Sequence, residues 1–142
     1  MATLNETIYD ILLTDAQSAV AGSLGVLLGY DAVTKPRAVY FRNPPEKPDL
    51  PILTYFNASD VHDIGGVDFS PRSMWYNFTC WGDNFDSVLK RVFDLLQRKK
   101  GLTITDYDSK RILYDSAGPV LFDEDWQAYY QAHIYRIITV AL

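Results

Sequence analysis

The sequence predicts an α+β domain in which a mostly antiparallel sheet carries its helices on one face. Residues 72–81 alternate between two kinds of side chain, as a strand does. Residues 85–96 place apolar side chains on one side of a helix, and residues 126–142 alternate over a length that suits pairing with 72–81. Because no internal repeat or linker is present, we expect one domain over residues 1–142, with the order α-β-β-β-α-β-β-β.

The chain begins with helix signals. Thr3 and Glu6 have the spacing of a capping box, and apolar residues then recur at helical intervals, which predicts a helix over residues 4–13. Thr14 offers a second cap. Either a new helix therefore begins at Asp15 and ends at Gly22, or the two segments form one kinked helix.

The next segment is rich in glycine and proline and ends in a polar loop. An apolar run at 38–41 predicts a short strand, and residues 52–57 predict another after Pro51. Residues 58–68 are polar and contain two glycines, so we expect a long mobile loop that serves as a contact arm. The interface candidates within this loop are His62, Asp63 and Ile64.

The middle of the chain carries the clearest strand and the clearest helix. Over residues 72–81 the side chains that point one way are Met74, Tyr76, Phe78 and Cys80. Those that point the other way are Ser73, Trp75, Asn77, Thr79 and Trp81. Asp83 then caps a helix whose apolar stripe covers residues 85–96, and a basic run followed by Gly101 ends it.

The last third of the chain is predicted to form strands separated by polar turns. Short strands are expected at 102–105 and 111–114 around a turn at 106–109, and further turns at 117–119 and 123–125. In the long strand 126–142, one predicted face holds Ala128, Tyr130, Ala132, Ile134, Ile138 and Val140. The other holds Gln127, Tyr129, Gln131, His133, Tyr135, Ile137 and Thr139. Arg136 interrupts the more apolar face, so the strand leaves the core there or the two faces are inverted.

Composition excludes several classes of protein. With 142 residues, of which 48% are hydrophobic, the chain is long enough to bury a core without disulfides or metal. A net charge of -5, with the basic residues clustered at the end of one helix, argues against tight nucleic-acid binding. The single cysteine, Cys80, lies in a predicted strand and is expected to be a core residue. We expect no membrane span and no signal peptide.

Catalytic motifs are missing from the sequence. The two histidines, His62 and His133, stand in a loop and on a strand, and no nucleophile elbow, zinc motif or phosphate-binding loop accompanies them. The acidic groups at 106–108 and 123–125 lack the remaining ligands of a calcium loop. The sequence therefore predicts no catalytic residue, no cofactor and no metal site.

One sheet face has an unusual composition for a surface that meets water. The predicted second face of the two long strands carries Trp75, Trp81, Tyr129 and Tyr135 among uncharged polar residues. Such a mixture is typical of protein contact surfaces. Either these four residues form an interface, or another segment of the chain, such as 39–41 or the first helix, covers them.

The order of elements resembles the tail completion or tail terminator proteins of long-tailed bacteriophages. The resemblance lies in the opening helix with the segment 15–20, the proline-marked strand 50–55, the strand-helix pair 75–96 and the acidic turn with the terminal strand 122–140. It implies a homo-oligomeric ring, commonly a hexamer, that caps the tail tube protein, stops tube growth and presents a surface to the head connector protein. DNA would pass through the ring without specific binding. The protein would be assembled in the host cytoplasm into the virion tail.

Other functions stay open at this stage. A head-closure or neck subunit would share the size, the acidity and the ring. A small cytoplasmic α+β enzyme or ligand-binding domain would instead need a pocket with convergent polar groups. A monomeric regulatory binding module would show no self-association.

Overall fold

The computed structural model describes residues 4–42, 44, 49–62, 72–82, 85–97, 102–104 and 107–141. The helices are α1 (Leu4–Ala16), α2 (Leu24–Leu27) and α3 (Phe85–Leu96). The strands are β1 (Val39–Phe41), β2 (Ile52–His62), β3 (Arg72–Trp81), β4 (Leu102–Ile104), β5 (Tyr107–Ala117), β6 (Leu121–Asp123) and β7 (Ala128–Ala141).

The strands described form a single sheet in the order β1-β2-β3-β7-β5-β4, and β6 pairs with the beginning of β7. Only β1 and β2 run parallel among these pairs. The long strand β7 lies between β3 and β5, and its register with β3 runs from Trp81 opposite Tyr130 to Arg72 opposite Thr139. The predicted α+β class with a mostly antiparallel sheet is therefore confirmed.

The core lies between the helices and one side of this sheet. The stripe predicted for α3 is buried through Val88, Leu89, Val92 and Leu96. It packs on aromatic rings of the strands, where Phe78 lies 5.6 Å from Tyr55 and 5.2 Å from Tyr135 between ring centroids. Each fully buried apolar side chain stabilises the fold by roughly 1.5–3 kcal/mol, so this layer dominates the stability.

The N-terminal segment differs from both predicted arrangements. α1 continues past residue 13 to Ala16, and the next helix begins only at Leu24, with Ser23 as its N-cap. Asp15 explains this junction, because its carboxylate accepts a hydrogen bond from the Leu24 amide at 2.8 Å and forms an ion pair with Arg91 of α3 at 2.7 Å.

Several strand boundaries also differ from the predicted ones. β2 extends to His62, so the loop expected from residue 58 does not begin there, and Asp63 and Ile64 lie outside the described residues. The prediction of a turn at 106–109 is wrong for residues 107–109. These residues belong to β5, because they pair with the end of β7. β6 is a three-residue strand that the sequence pattern did not indicate. The bounds of β3 and α3 match the predicted ones.

The predicted faces of β7 are inverted. Tyr135 and Ile137 are both fully buried on the helix side, where the Tyr135 ring meets Phe78 and Tyr114. Placing Tyr135 on an exposed contact face is therefore wrong. The opposite face of β7 carries Tyr130 and Arg136, which lie opposite Trp81 and Trp75 in the β3 register. The reason is that both faces of this strand mix apolar and aromatic residues, so the alternation alone does not identify the core side.

Candidate interaction surface

The side of the sheet opposite the helices is called here the open face. All three helices of the described chain pack on the other side, through the core cluster. The described side chains that the registers of β1, β2, β3 and β7 place on the open face are Tyr40, Ile52, Thr54, Phe56, Ser73, Trp75, Asn77, Thr79, Trp81, Tyr130, Ala132, Ile134, Arg136 and Ile138. This set mixes aromatic, aliphatic and uncharged polar side chains with one arginine, a composition typical of the centre of protein interfaces. Five of its members are already buried within the chain: Tyr40, Ile52, Thr54, Ser73 and Thr79.

Trp81 forms the centre of an aromatic cluster on the open face. Its ring stacks on Tyr130 at 4.4 Å and lies 4.8 Å from Trp126, both between ring centroids. Its indole Nε1 donates a hydrogen bond of 3.1 Å to Thr54 Oγ1. These contacts hold the indole in one orientation, which lowers the entropy lost when a partner binds. The sequence pattern singles out Trp81 but misses Tyr130, because the predicted faces of β7 are inverted, and Trp126, because it lies in the turn before that strand.

Trp75 marks the other end of the open face. The Arg136 guanidinium lies 5.8 Å from the centre of the Trp75 ring, a cation–π geometry, and its Nε donates a hydrogen bond of 2.9 Å to Ser73 Oγ. At the edge of the sheet, Arg37 lies in the same way over Tyr40, at 4.5 Å. Positive charges thus lie over aromatic rings at two places on or beside this face.

Tyr129 lies apart from Trp75 and Trp81, in the hairpin formed by β6 and the start of β7. It pairs with Phe122, and the two rings are 4.9 Å apart. Because Tyr129 is an even number of residues from Tyr135 along a regular strand, both rings point to the helix side of the sheet. The exposed fractions are 57% for Tyr129 and 45% for Phe122, so the helices do not cover this pair.

The hairpin is fixed by polar contacts at its base and its tip. Gly118 N donates to Ala132 O at 2.8 Å, and Gly82 N donates to Tyr129 O at the same distance. In the turn, the Asp125 amide donates to the Asp123 carboxylate at 2.9 Å. The acidic turn expected at 123–125 is therefore a structural turn, and Val120 and Leu121 beside it are also about half exposed.

His133 and Tyr135 have buried polar atoms on the helix side of β7. His133 Nδ1 and the Tyr135 hydroxyl have no hydrogen-bond partner among the described residues. Burial lowers the pKa of His133, against a smaller opposite effect of Asp86, and burial raises the pKa of Tyr135. Burial therefore favours the neutral form of both groups. Cys80 is a buried core residue, as expected.

The rest of the described chain offers shallow clefts on the helix side. One of 190 Å³ is lined by Glu6, Tyr9, Asp10, Phe41 and Tyr55. No group of three His, Cys, Asp or Glu side chains in the described ranges is arranged to hold a metal ion. None of the helices in the described part is long and apolar enough to cross a membrane.

Comparison with known proteins gives a likeness of fold. No family model matches the sequence, and no curated protein does. The fold is similar to that of a chain in the solved structure of the virion of a native gene transfer agent (GTA) particle, with a TM-score of 0.58. The two chains are 16% identical, and the match covers 87% of this chain and 98% of the other. This chain therefore shares, over nearly all of that protein, the fold of a component of a virion particle.

Proposed function

We propose that this chain is a structural subunit of a phage-like virion, and specifically a tail terminator. The observation that carries the proposal is the fold likeness to a chain of a gene transfer agent virion, which spans 98% of that chain. The order of elements that resembles the tail terminator family supports the finer role. The surface agrees with an assembly protein, because the open face presents Trp75, Trp81 and Phe56, and none of the helices in the described ranges covers it.

In this role the subunits form a closed homo-oligomeric ring on the end of the tail tube. The resemblance to tail terminators implies a hexamer. One side of the ring binds the tail tube protein and stops its polymerisation, and the other side binds the head connector protein. The net charge of -5 suits a ring through which DNA slides without being held. Assembly takes place in the host cytoplasm.

Removal of the protein during particle assembly tests the proposal. If the chain terminates tails, cells that produce the particle without it should accumulate tubes of abnormal length that are detached from filled heads, as seen by negative-stain electron microscopy. Adding the purified protein to such an extract should restore tails of uniform length.

The same experiment separates the related roles. Tails of normal length, together with heads that lose their DNA, would identify a head-closure subunit instead. Particles that assemble normally without the protein would contradict a structural role of either kind. Chemical activity of the purified chain on a small molecule would favour the enzyme hypothesis.

A further inference from the structure

Two surfaces of the chain complement each other but face away from each other. The open face carries Trp75, Trp81 and Arg136, whereas the hairpin presents Phe122 and Tyr129 on the helix side of the sheet. The tip of the hairpin reaches the open face of its own molecule, because Trp126 contacts Trp81. The rings of Phe122 and Tyr129, however, are separated from that face by the sheet, so their contact with the open face requires a second molecule.

The charges of the two surfaces are opposite. Between Arg111 and Arg136 the sequence contains no lysine or arginine, but it contains Asp115, Asp123, Glu124 and Asp125. Glu124 and Asp125 are exposed in the turn of the hairpin. On the open face Arg136 lies over Trp75, and beside the edge strand β1 Arg37 and Arg42 lie over Tyr40 and Phe41. An acidic aromatic hairpin thus matches a cationic aromatic face, and such complementarity fixes register and orientation.

We propose that the hairpin of one copy lies on the open face of the next copy, so that subunits join head to tail. Phe122 and Tyr129 pack beside Trp75 and the Trp81 cluster, and the acidic turn lies near the arginines. A contact between two different surfaces of the same chain propagates in one direction and closes into a ring when the rotation allows it. This inference rests on the proposed assembly function and names the surfaces that the ring uses.

The size of the open face agrees with a second copy as the occupant. Four strands of about ten residues give a footprint of about 30 by 20 Å, since each residue advances about 3.3 Å and strands lie about 4.8 Å apart. Because Ile52, Thr54 and Ser73 are already buried within the subunit, about 600 Å² is an upper limit for the area that a partner covers there, against the roughly 800 Å² per partner of a standard stable interface. The exposed aromatic side chains of the hairpin are the kind of anchor that dominates such contacts.

Mixing two variants tests the head-to-tail contact. The hairpin variant, Phe122→Ala with Tyr129→Ala, retains an intact open face, and the face variant, Trp75→Ala, retains an intact hairpin. Native mass spectrometry and analytical ultracentrifugation should show each variant alone at least about tenfold weaker in self-association than the unchanged protein. Mixed in equal amounts, they should form a one-to-one dimer that grows no further. In this dimer the intact hairpin of the face variant binds the intact open face of the hairpin variant, and the two surfaces that remain are both altered.

Two further variants complete the test, the first as a control and the second as an independent test of the hairpin. Val20→Ala with Val33→Ala removes exposed apolar side chains elsewhere on the surface and should leave assembly unchanged. Glu124→Lys with Asp125→Lys reverses charge in an exposed turn that does not contribute to the core, and should weaken assembly while circular dichroism stays unchanged. This variant keeps the test valid if Trp75→Ala unfolds the chain.

Each remaining outcome overturns the inference. A hairpin variant or charge-reversed variant that assembles like the unchanged protein would show that the hairpin is not in the contact. A hairpin variant that still assembles while only Trp75→Ala fails would indicate a symmetric contact between two open faces. A chain that stays monomeric at about 1 mM would exclude self-contact. In all three cases, abnormal tail length in particles without the protein would leave the proposed function standing.

Discussion

At the scale of single residues, Asp15 joins three helices. Its carboxylate accepts two hydrogen bonds from Arg91 of α3, at 2.7 and 2.9 Å, and one from the Leu24 amide that begins α2. We expect Asp15→Asn to lower the free energy of unfolding by about 1–2 kcal/mol in urea denaturation at pH 7, since charged hydrogen bonds are lost but Arg91 is partly screened by water. Asp10→Asn, on the exposed side of the same helix, should have little effect.

The contribution of Asp15 depends on pH. Burial disfavours the carboxylate, but the hydrogen bonds from Arg91 and Leu24 outweigh burial and hold the pKa of Asp15 below its ordinary value of 3.8. The stabilisation is therefore complete above about pH 4 and is lost as the pH falls through the lower folded-state pKa. The stability difference between the unchanged protein and Asp15→Asn should shrink in acid. A difference that stays constant down to pH 2 would contradict this account.

Tyr135 contributes through its ring and not through its hydroxyl. The hydroxyl oxygen is buried without a hydrogen-bond partner among the described residues, while the ring packs edge-on against Phe78 and Tyr114. Because an unpartnered buried hydroxyl is destabilising, Tyr135→Phe should leave the free energy of unfolding unchanged or raise it by up to about 1 kcal/mol.

Loss of the Tyr135 ring should have the opposite result. Tyr135→Ala should lower the free energy of unfolding by about 3–5 kcal/mol, measured in the same urea titration. Neither substitution at this site removes a contact residue, so Tyr135→Phe should assemble as the unchanged protein does. A loss of more than 1 kcal/mol in Tyr135→Phe would show that the hydroxyl has a partner.

At the scale of elements, the position of α2 depends on a close approach of two backbones. A Cβ added to Gly25 would collide with the Ser18 carbonyl oxygen and lie 2.9 Å from the Ser18 nitrogen. Gly25→Ala should therefore displace α2 and reduce the free energy of unfolding by about 1–3 kcal/mol. Gly118→Ala is a matched control, because its Cβ would meet only Ala132 O at 3.4 Å. Thermal denaturation of the two variants checks the contrast, and equal midpoints would contradict it.

Elements with a strong local signal could be predicted from the sequence. α3 and β3 have the predicted bounds because the period of their apolar residues, the cap region and the flanking glycines agree. β5 and β2 are longer than predicted because pairing with neighbouring strands extends them through polar residues. A strand as short as β6, with three residues, is too short to show a recognisable alternation in the sequence.

The candidate interaction surface could be predicted only in part, because alternation identifies the two faces of a strand only where they differ in composition. The alternation of β3 predicts the face of Trp75 and Trp81 correctly, since this strand differs clearly between its two sides. The face of Tyr135 does not follow from the sequence, because tyrosine suits a core and a surface equally well and β7 has aromatic residues on both sides. The pairing of Phe122 with Tyr129 depends on a contact that no local pattern announces.

At the scale of the whole molecule, the acidic and the basic groups of the proposed contact lie on different parts of the surface. The segment without lysine or arginine forms the hairpin, whereas Arg136 on the open face and Arg37 at the edge of the sheet lie over aromatic rings. The negative total charge therefore does not prevent self-assembly, because the proposed contact joins opposite charges locally. Raising the salt concentration should weaken the assembly moderately, since aromatic packing remains when the charges are screened.

The same charge distribution predicts how the protein behaves toward DNA. With 18 acidic and 13 basic residues, the chain has no excess of cations to release counterions from a phosphate backbone. Fluorescence anisotropy of a labelled duplex should stay unchanged at about 0.15 M salt up to roughly 100 µM protein, a range in which non-specific binding by basic proteins is readily detected. Salt-dependent binding by the unchanged chain would contradict a ring through which DNA passes freely.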